Sequence, residues 1–158
     1  MITAVVVYSN TGNTRLVADA IADRLGVVVT VLVADQVQPT PWAILRLGFA
    51  VLFGGTTPVR IVGPDPAGAD LVVLAAPVWA GRLAVPMRSW LATKPALPKR
   101  VALVMTGGAP APSSRAMPDF ADHAGCKPVA TLYASEAQMA SGGYATACDT
   151  FCRQIMAL

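Results

Sequence analysis

Apolar positions along the chain fall into two alternating patterns. Short continuous runs of β-branched residues are separated by longer stretches with apolar residues every three to four positions. The first run, residues 2–8 (Ile2 to Tyr8), suits a parallel strand buried on both faces. The next stretch places Leu16, Val17, Ala20, Ile21 and Leu25 on one helical face, with Arg15, Asp19, Asp23 and Arg24 largely away from it. Gly26 is placed to end that helix, and Val27 to Val33 reads as a second strand. Leu71 to Ala75, Val101 to Met105 and Pro128 to Tyr133 are three further strands. Helices are predicted at about Val85 to Ala92, from an N-cap at Ser113 to about Ala124, and over Tyr144 to Met156. Pro86 falls in the first turn of its helix, where a missing N–H is tolerated.

Trp42 to Phe53 is apolar almost all round, with Arg46 its only charge. It reads as a core helix opened by Pro39 and Pro41. The competing reading is an exposed patch for a partner, a second copy or a membrane surface. Thr57 to Ile61 is extended, and Gly63-Pro64-Asp65-Pro66 is a turn region.

Strands alternating with helices imply βαβ units, an open parallel sheet and helices on both faces. The 158 residues fit a single domain spanning 1–158. A hydrophobic fraction of 54% against 13% charged residues excludes a disordered chain. The net charge is +3, and among twelve Lys and Arg only Lys99 and Arg100 are adjacent, so no basic stripe points to nucleic acid. No apolar run is long enough to span a membrane. Three Cys, with Cys148 and Cys152 four apart and Cys126 alone, form neither a redox pair nor a disulfide framework. The start runs directly into a strand without a leader pattern, and a cytoplasmic location is expected.

Ligands of such sheets bind beyond the carboxyl ends of the strands. Three strands end there in Gly-containing loops. The first is Ser9-Asn10-Thr11-Gly12-Asn13-Thr14, with hydroxyls, amides and a Gly at a helix start. These residues suit a terminal phosphate, and they equally suit an N-cap with turn residues. A Walker Lys and a GxGxxG spacing are both missing, which disfavours a triphosphate and a dinucleotide. The second loop is Pro77-Val78-Trp79-Ala80-Gly81, and the third is Thr106-Gly107-Gly108-Ala109-Pro110. No Ser-His-Asp set, zinc cluster or carboxylate pair is assembled. Trp42 and Trp90 read as core, Cys148 and Cys152 as small hydrophobes, and the single His123 as a capping or surface residue.

The hexapeptide Ser9 to Thr14 resembles the phosphate-binding signature of the flavodoxin family, and the likeness extends over nearly the whole chain. It implies a three-layer α/β/α fold with a five-stranded parallel sheet of order 2-1-3-4-5. It also implies FMN held non-covalently at one sheet edge. Pro77 to Gly81 is similar to the family's loop over one flavin face, with Trp79 as the stacking partner. Thr106-Gly107-Gly108 is similar to the loop that borders the ring edge. The implied function is electron transfer to and from redox partner proteins, favoured over an NAD(P)H-dependent quinone or flavin reductase; a flavin-free interaction module on the same fold is a third reading. Two features depart from the family. Typical flavodoxins are acidic and dock on basic partners, whereas this chain is basic. Many also bring an aromatic from the third loop onto the second ring face. Here Ala109-Pro110-Ala111-Pro112 follows, with no aromatic before Phe120, which leaves that face open as a reductase requires.

Overall fold

A computed structural model describes residues 1–34, 41–42, 45–46, 48–49 and 55–158. Strand β1 (Thr3–Val7) lies inside the sheet, paired in parallel with β2 (Val29–Ala34) and with β4 (Leu71–Trp79). Beyond β4, in parallel, come β6 (Arg100–Gly107) and β7 (Thr131–Ser135). Two antiparallel strands complete the sheet. β3 (Val59–Val62) lies outside β2, and the two-residue β5 (Arg82–Leu83) pairs with the end of β4.

The order is therefore β3-β2-β1-β4-β6-β7 with β5 off β4, seven strands among the described residues. This corrects the expectation of five parallel strands alone. The five parallel members follow one another as β2-β1-β4-β6-β7. The extra two come from segments too short or too broken by Pro and Gly to show a strand period. They form because a neighbouring strand edge supplies their hydrogen bonds.

Helices cover both faces. α1 (Asn13–Leu25) and α5 (Tyr144–Met156) pack on one, and α2 (Val85–Ala92) and α3 (Ala116–Ala124) on the other. A short α4 (Glu136–Ser141) precedes α5. Alternate strand residues feed the two layers. Val5, Val7, Val73, Ala75, Ala102 and Val104 meet Val17, Ile21, Phe151 and Ile155. Val6, Val72, Leu74, Leu103 and Met105 meet Met87, Trp90, Leu91 and Phe120. Both faces are buried, so these strands are apolar at every position rather than at every second one.

Several boundaries and faces differ from the sequence expectation. β4 runs on to Trp79 because Pro77 still pairs with Thr106, and Val78 and Trp79 pair with β5. Leu16, expected on the buried face of α1, is 44% exposed; the face is centred on Val17, Ala18, Ile21 and Ala22. Ser113 does not cap α3. Its side chain accepts from the Arg115 N–H, its carbonyl accepts from the Ala116 N–H, and the helix begins after this turn. α4 was not expected at all. It is closed by a reciprocal cap in which the Gln138 N–H donates to the Ser135 hydroxyl and the Ser135 N–H to the Gln138 side chain.

Trp90 is buried as expected. Trp42 is 75% exposed, which corrects its assignment to the core. Positions 41, 42, 45, 46, 48 and 49 are helical; the rest of the Trp42–Phe53 run lies outside the described residues. Among the described residues no helix is long and apolar enough to cross a membrane.

Two outcomes follow from this packing. Phe120 is fully buried on the α2/α3 face, so Phe120→Ala should lower unfolding free energy by about 3–5 kcal/mol in urea titration. Cys148 lies in the α1/α5 layer, where burial pushes its thiol up from 9.0 to about 11. The unfolded chain loses that proton first. Stability present below pH 9 should therefore decline as pH rises from 9 toward 11, and Cys148→Ala should flatten the decline.

Candidate functional site

The carboxyl ends of β1, β4, β6 and β7 open onto a cleft of about 140 Å³. It is lined by Asn10, Thr11, Asn13 and Thr14, by Pro77, Val78 and Trp79, by Thr106, Gly107 and Gly108, and by Glu136 and Met139. Ten of the fourteen residues expected from the sequence thus meet in one place. The other four, Ser9, Gly12, Ala80 and Gly81, do not line it and act on the backbone around it.

The first wall is the start of α1. Gly12 sits before the helix at φ 95°, a left-handed conformation that a side chain would strain. The Ser9 hydroxyl accepts a hydrogen bond from the Gly12 N–H at 3.1 Å, which closes the turn. The first intrahelical bond runs from the Leu16 N–H to the Gly12 carbonyl. The helix has no side-chain cap and no acid in its first turn. Its first N–H groups and the positive end of its dipole are therefore left without a cap at the cleft, an arrangement suited to an anion, with the Glu136 carboxylate in the lining of the same cleft.

The second wall is a hairpin rather than the open loop expected. Ala80 at φ 49° and Gly81 at φ 81° form a two-residue turn, with Trp79 paired to Arg82 and Val78 to Leu83. Left-handed φ at both positions is what the tight hairpin twist demands. A side chain at Gly81 would also fall 2.8 Å from the Ser113 hydroxyl. The turn is held from below. The Leu83 N–H donates to the buried Asp119 carboxylate at 3.1 Å, and the Ala84 N–H donates to the Pro77 carbonyl at 2.9 Å. Trp79 is fixed at the cleft edge with its ring 5.8 Å from Tyr8 in an edge-to-face contact of 85°.

The third wall is the end of β6. The buried Thr14 and Thr106 hydroxyls share a hydrogen bond at 2.8 Å, tying the start of α1 to this strand. A side chain at Gly107 would meet the Tyr133 hydroxyl at 2.8 Å. That hydroxyl donates to the Ala109 carbonyl at 2.7 Å and pins the following loop. Burial, and then the Glu136 carboxylate, push the Tyr133 phenol up from its ordinary value.

Glu136 and Met139 of α4 form a fourth wall that the sequence reading missed. Its signal was Ser135-Glu136-Ala137-Gln138, the spacing of the reciprocal cap. His123 stays with its own helix, its Nδ1 2.7 Å from the Asp119 carbonyl. No cluster of metal-ligating side chains occurs among the described residues. A wider depression of about 420 Å³ between β7 and α5 carries no titratable side chain in its lining. The smaller cleft, with its converging polar groups, is the candidate site.

The Thr14–Thr106 contact makes a quantitative expectation. Thr14→Val leaves a buried hydroxyl without its partner and should cost about 1–3 kcal/mol, as should Thr106→Val. The double variant, by denaturant titration, should cost clearly less than the sum.

No family model matches the chain, and no curated protein matches it. Solved structures do. A flavoprotein from Lactobacillus acidophilus NCFM, solved in complex with FMN, aligns with a TM-score of 0.69 at 17% identity, over 89% of this chain and 97% of that one. A protein from Bacteroides uniformis ATCC 8492 aligns at 0.70 with 15% identity, over 89% and 94%. A WrbA-like flavodoxin from Agrobacterium tumefaciens aligns at 0.57 with 16% identity, over 97% and 94%. At these identities the likeness is one of fold, and the chain has the flavodoxin-like fold.

Proposed function

We propose that residues 1–158 act as one flavodoxin-like domain that holds FMN non-covalently in this cleft and carries electrons between partner proteins. The observation that carries the reading is the meeting of an uncapped helix start, a row of hydroxyls and amides, and the edge-fixed Trp79 in one crevice. The donor chemistry fits. Asn10, Thr11, Asn13 and Thr14 offer neutral donors to a phosphate, and no acid lies in that turn. The cleft volume is below the roughly 300–1,000 Å³ of enclosed ligand pockets. The first-loop end of the cleft would hold the phosphate, and Trp79 would offer its ring to the flavin.

When bound, FMN supplies the uptake and release of electrons. The chain's own residues do the rest. Ser9 and Gly12 hold the turn that presents the first N–H groups of α1. Thr11 and Thr14 add hydroxyls. Pro77, Val78 and Trp79 would form an apolar wall that keeps water from one ring face, and the Ala80-Gly81 turn keeps Trp79 in place. Thr106, Gly107 and Gly108 would border the ligand, with Tyr133 leaving little room for a side chain at Gly107.

A second reading is a reductase that accepts hydride from NAD(P)H. It is favoured by one observation: residues 109–112, after Gly108, are largely exposed and include no aromatic to cover the other face. The two separate in steady-state assay. The FMN-loaded carrier should not oxidise NADH or NADPH with a quinone acceptor by itself. Turnover by the purified protein alone would assign the reductase instead.

Binding tests the site itself. Trp79→Ala should weaken FMN about fivefold to tenfold, read by quenching of flavin fluorescence. Thr11→Ala should weaken FMN more than riboflavin, because only FMN has the phosphate that the first turn would hold. Equal losses for both ligands would remove the phosphate assignment. No quenching at micromolar FMN would remove the flavin reading as a whole.

A further inference from the structure

Two charged side chains are buried behind the cleft, and neither lines it. Arg88 on α2 is 2% exposed and Asp119 on α3 is 8% exposed. Charged groups that deep are costly unless they are paired and hydrogen-bonded. Each directs a hydrogen bond at the same residue of β5. The Leu83 N–H donates to Asp119 Oδ2 at 3.1 Å, and Arg88 Nε donates to the Leu83 carbonyl at 2.9 Å. Leu83 is therefore gripped at both of its backbone polar groups, from two different helices.

The gripping groups also act on one another. Burial pushes the Arg88 guanidinium down from its ordinary value, the Asp119 carboxylate pushes it back up, and Arg82 pushes it down. Arg82 Nε lies 3.9 Å from Asp119 Oδ1, and His123 Nδ1 lies 3.8 Å from the same oxygen. One carboxylate thus stands among two guanidinium groups and an imidazole, directly under the hairpin.

The hairpin depends on this grip because its own ladder is short. The pairing of β4 with β1 ends at Ala75, and its pairing with β6 ends at Pro77. Val78 and Trp79 are paired with β5, which is two residues long. A hairpin of that size is not held by its own bonds. The backbone of Trp79 is therefore placed through β5 by α2 and α3, while its ring meets Tyr8. As an acid in the first turn of α3, Asp119 also suits the dipole of its own helix. That role does not account for the carboxylate oxygen on the Leu83 N–H.

We propose that Asp119 and Arg88 are positioning residues for the ring end of the cleft, clamping Leu83 at its N–H and its carbonyl and so holding Trp79 where a flat ligand stacks. The ligand in this statement rests on the reading of the cleft as an FMN site; the clamp does not. The test is a double-mutant cycle on the full chain, read by quenching of flavin fluorescence. Asp119→Ala should weaken FMN and riboflavin by the same factor, about threefold to tenfold, because the clamp acts at the ring and not at the phosphate. In a Trp79→Ala background it should cause no further loss, since the ring it positions is gone. Arg88→Met should show the same coupling to Trp79. Asp119→Asn keeps an acceptor for the Leu83 N–H and should recover most of the affinity. Equal losses with and without Trp79, or a larger loss for FMN than for riboflavin, overturn the proposal. A wild type that quenches neither ligand removes the flavin reading instead. The clamp is then read by amide hydrogen exchange on the ligand-free wild type, where the Leu83 amide should exchange at least about a hundredfold slower than an unstructured amide. Free exchange at Leu83 overturns the clamp, whether or not the variants fold.

Discussion

The parallel pairing of β1 with β2 on one side and β4 on the other is the constraint on which the rest of this molecule depends. Parallel strands share a direction, so their carboxyl ends lie along one edge of the sheet. β1 ends before the Ser9 turn, β4 at Trp79, β6 at Gly107 and β7 at Ser135. Pairs such as Pro77 with Thr106 and Gly107 with Ser135 keep the ends of β4, β6 and β7 close together, while β1 ends earlier, with Val7 beside Ala75. The cleft lies where those ends meet the start of α1. It needs no dedicated insertion, only loops that stay out of the way.

Keeping the loops out of the way is achieved by backbone geometry. Gly12 and Gly81 take left-handed conformations, and Gly81 and Gly107 approach Ser113 and Tyr133 too closely for a side chain. Ser113, Tyr133 and Asp119 lie behind the cleft and brace it through hydrogen bonds to Arg115, Ala109 and Leu83. The Thr14–Thr106 bond closes the arrangement across the floor. A site whose polar groups are largely backbone and neutral hydroxyls suits a ligand that brings its own charge and its own reactivity, in keeping with the proposed flavin role.

Outside the cleft, the connection from β2 to β3 follows a different rule. Most large apolar side chains among the described residues serve the two layers that sandwich the sheet; Trp42, Leu45 and Phe49 are exposed. Apolar content by itself did not reveal this, because an all-apolar helix reads as core whether its outer face meets protein, lipid or water.

The amino-acid sequence by itself determined the sheet-forming runs, the bounds of α2 and α5, and the residues at three strand ends. These are carried by local signals: continuous β-branched runs, Pro86 in a first turn, a stripe of Ala147, Cys148, Phe151, Cys152, Ile155 and Met156 at helical spacing, of which Met156 is exposed in the structure. Only the tertiary structure decided the rest. β3 and β5 exist because neighbouring strands offer them unpaired edges, and the Trp79 loop became a hairpin for the same reason. Leu16 turned outward because the buried face of α1 is chosen by its contact with the sheet and α5. Glu136 and Met139 joined the site because β7 lies next to β6. Each of these depends on which surfaces meet, a non-local matter that hydrophobic period and turn chemistry along one chain do not encode residue by residue.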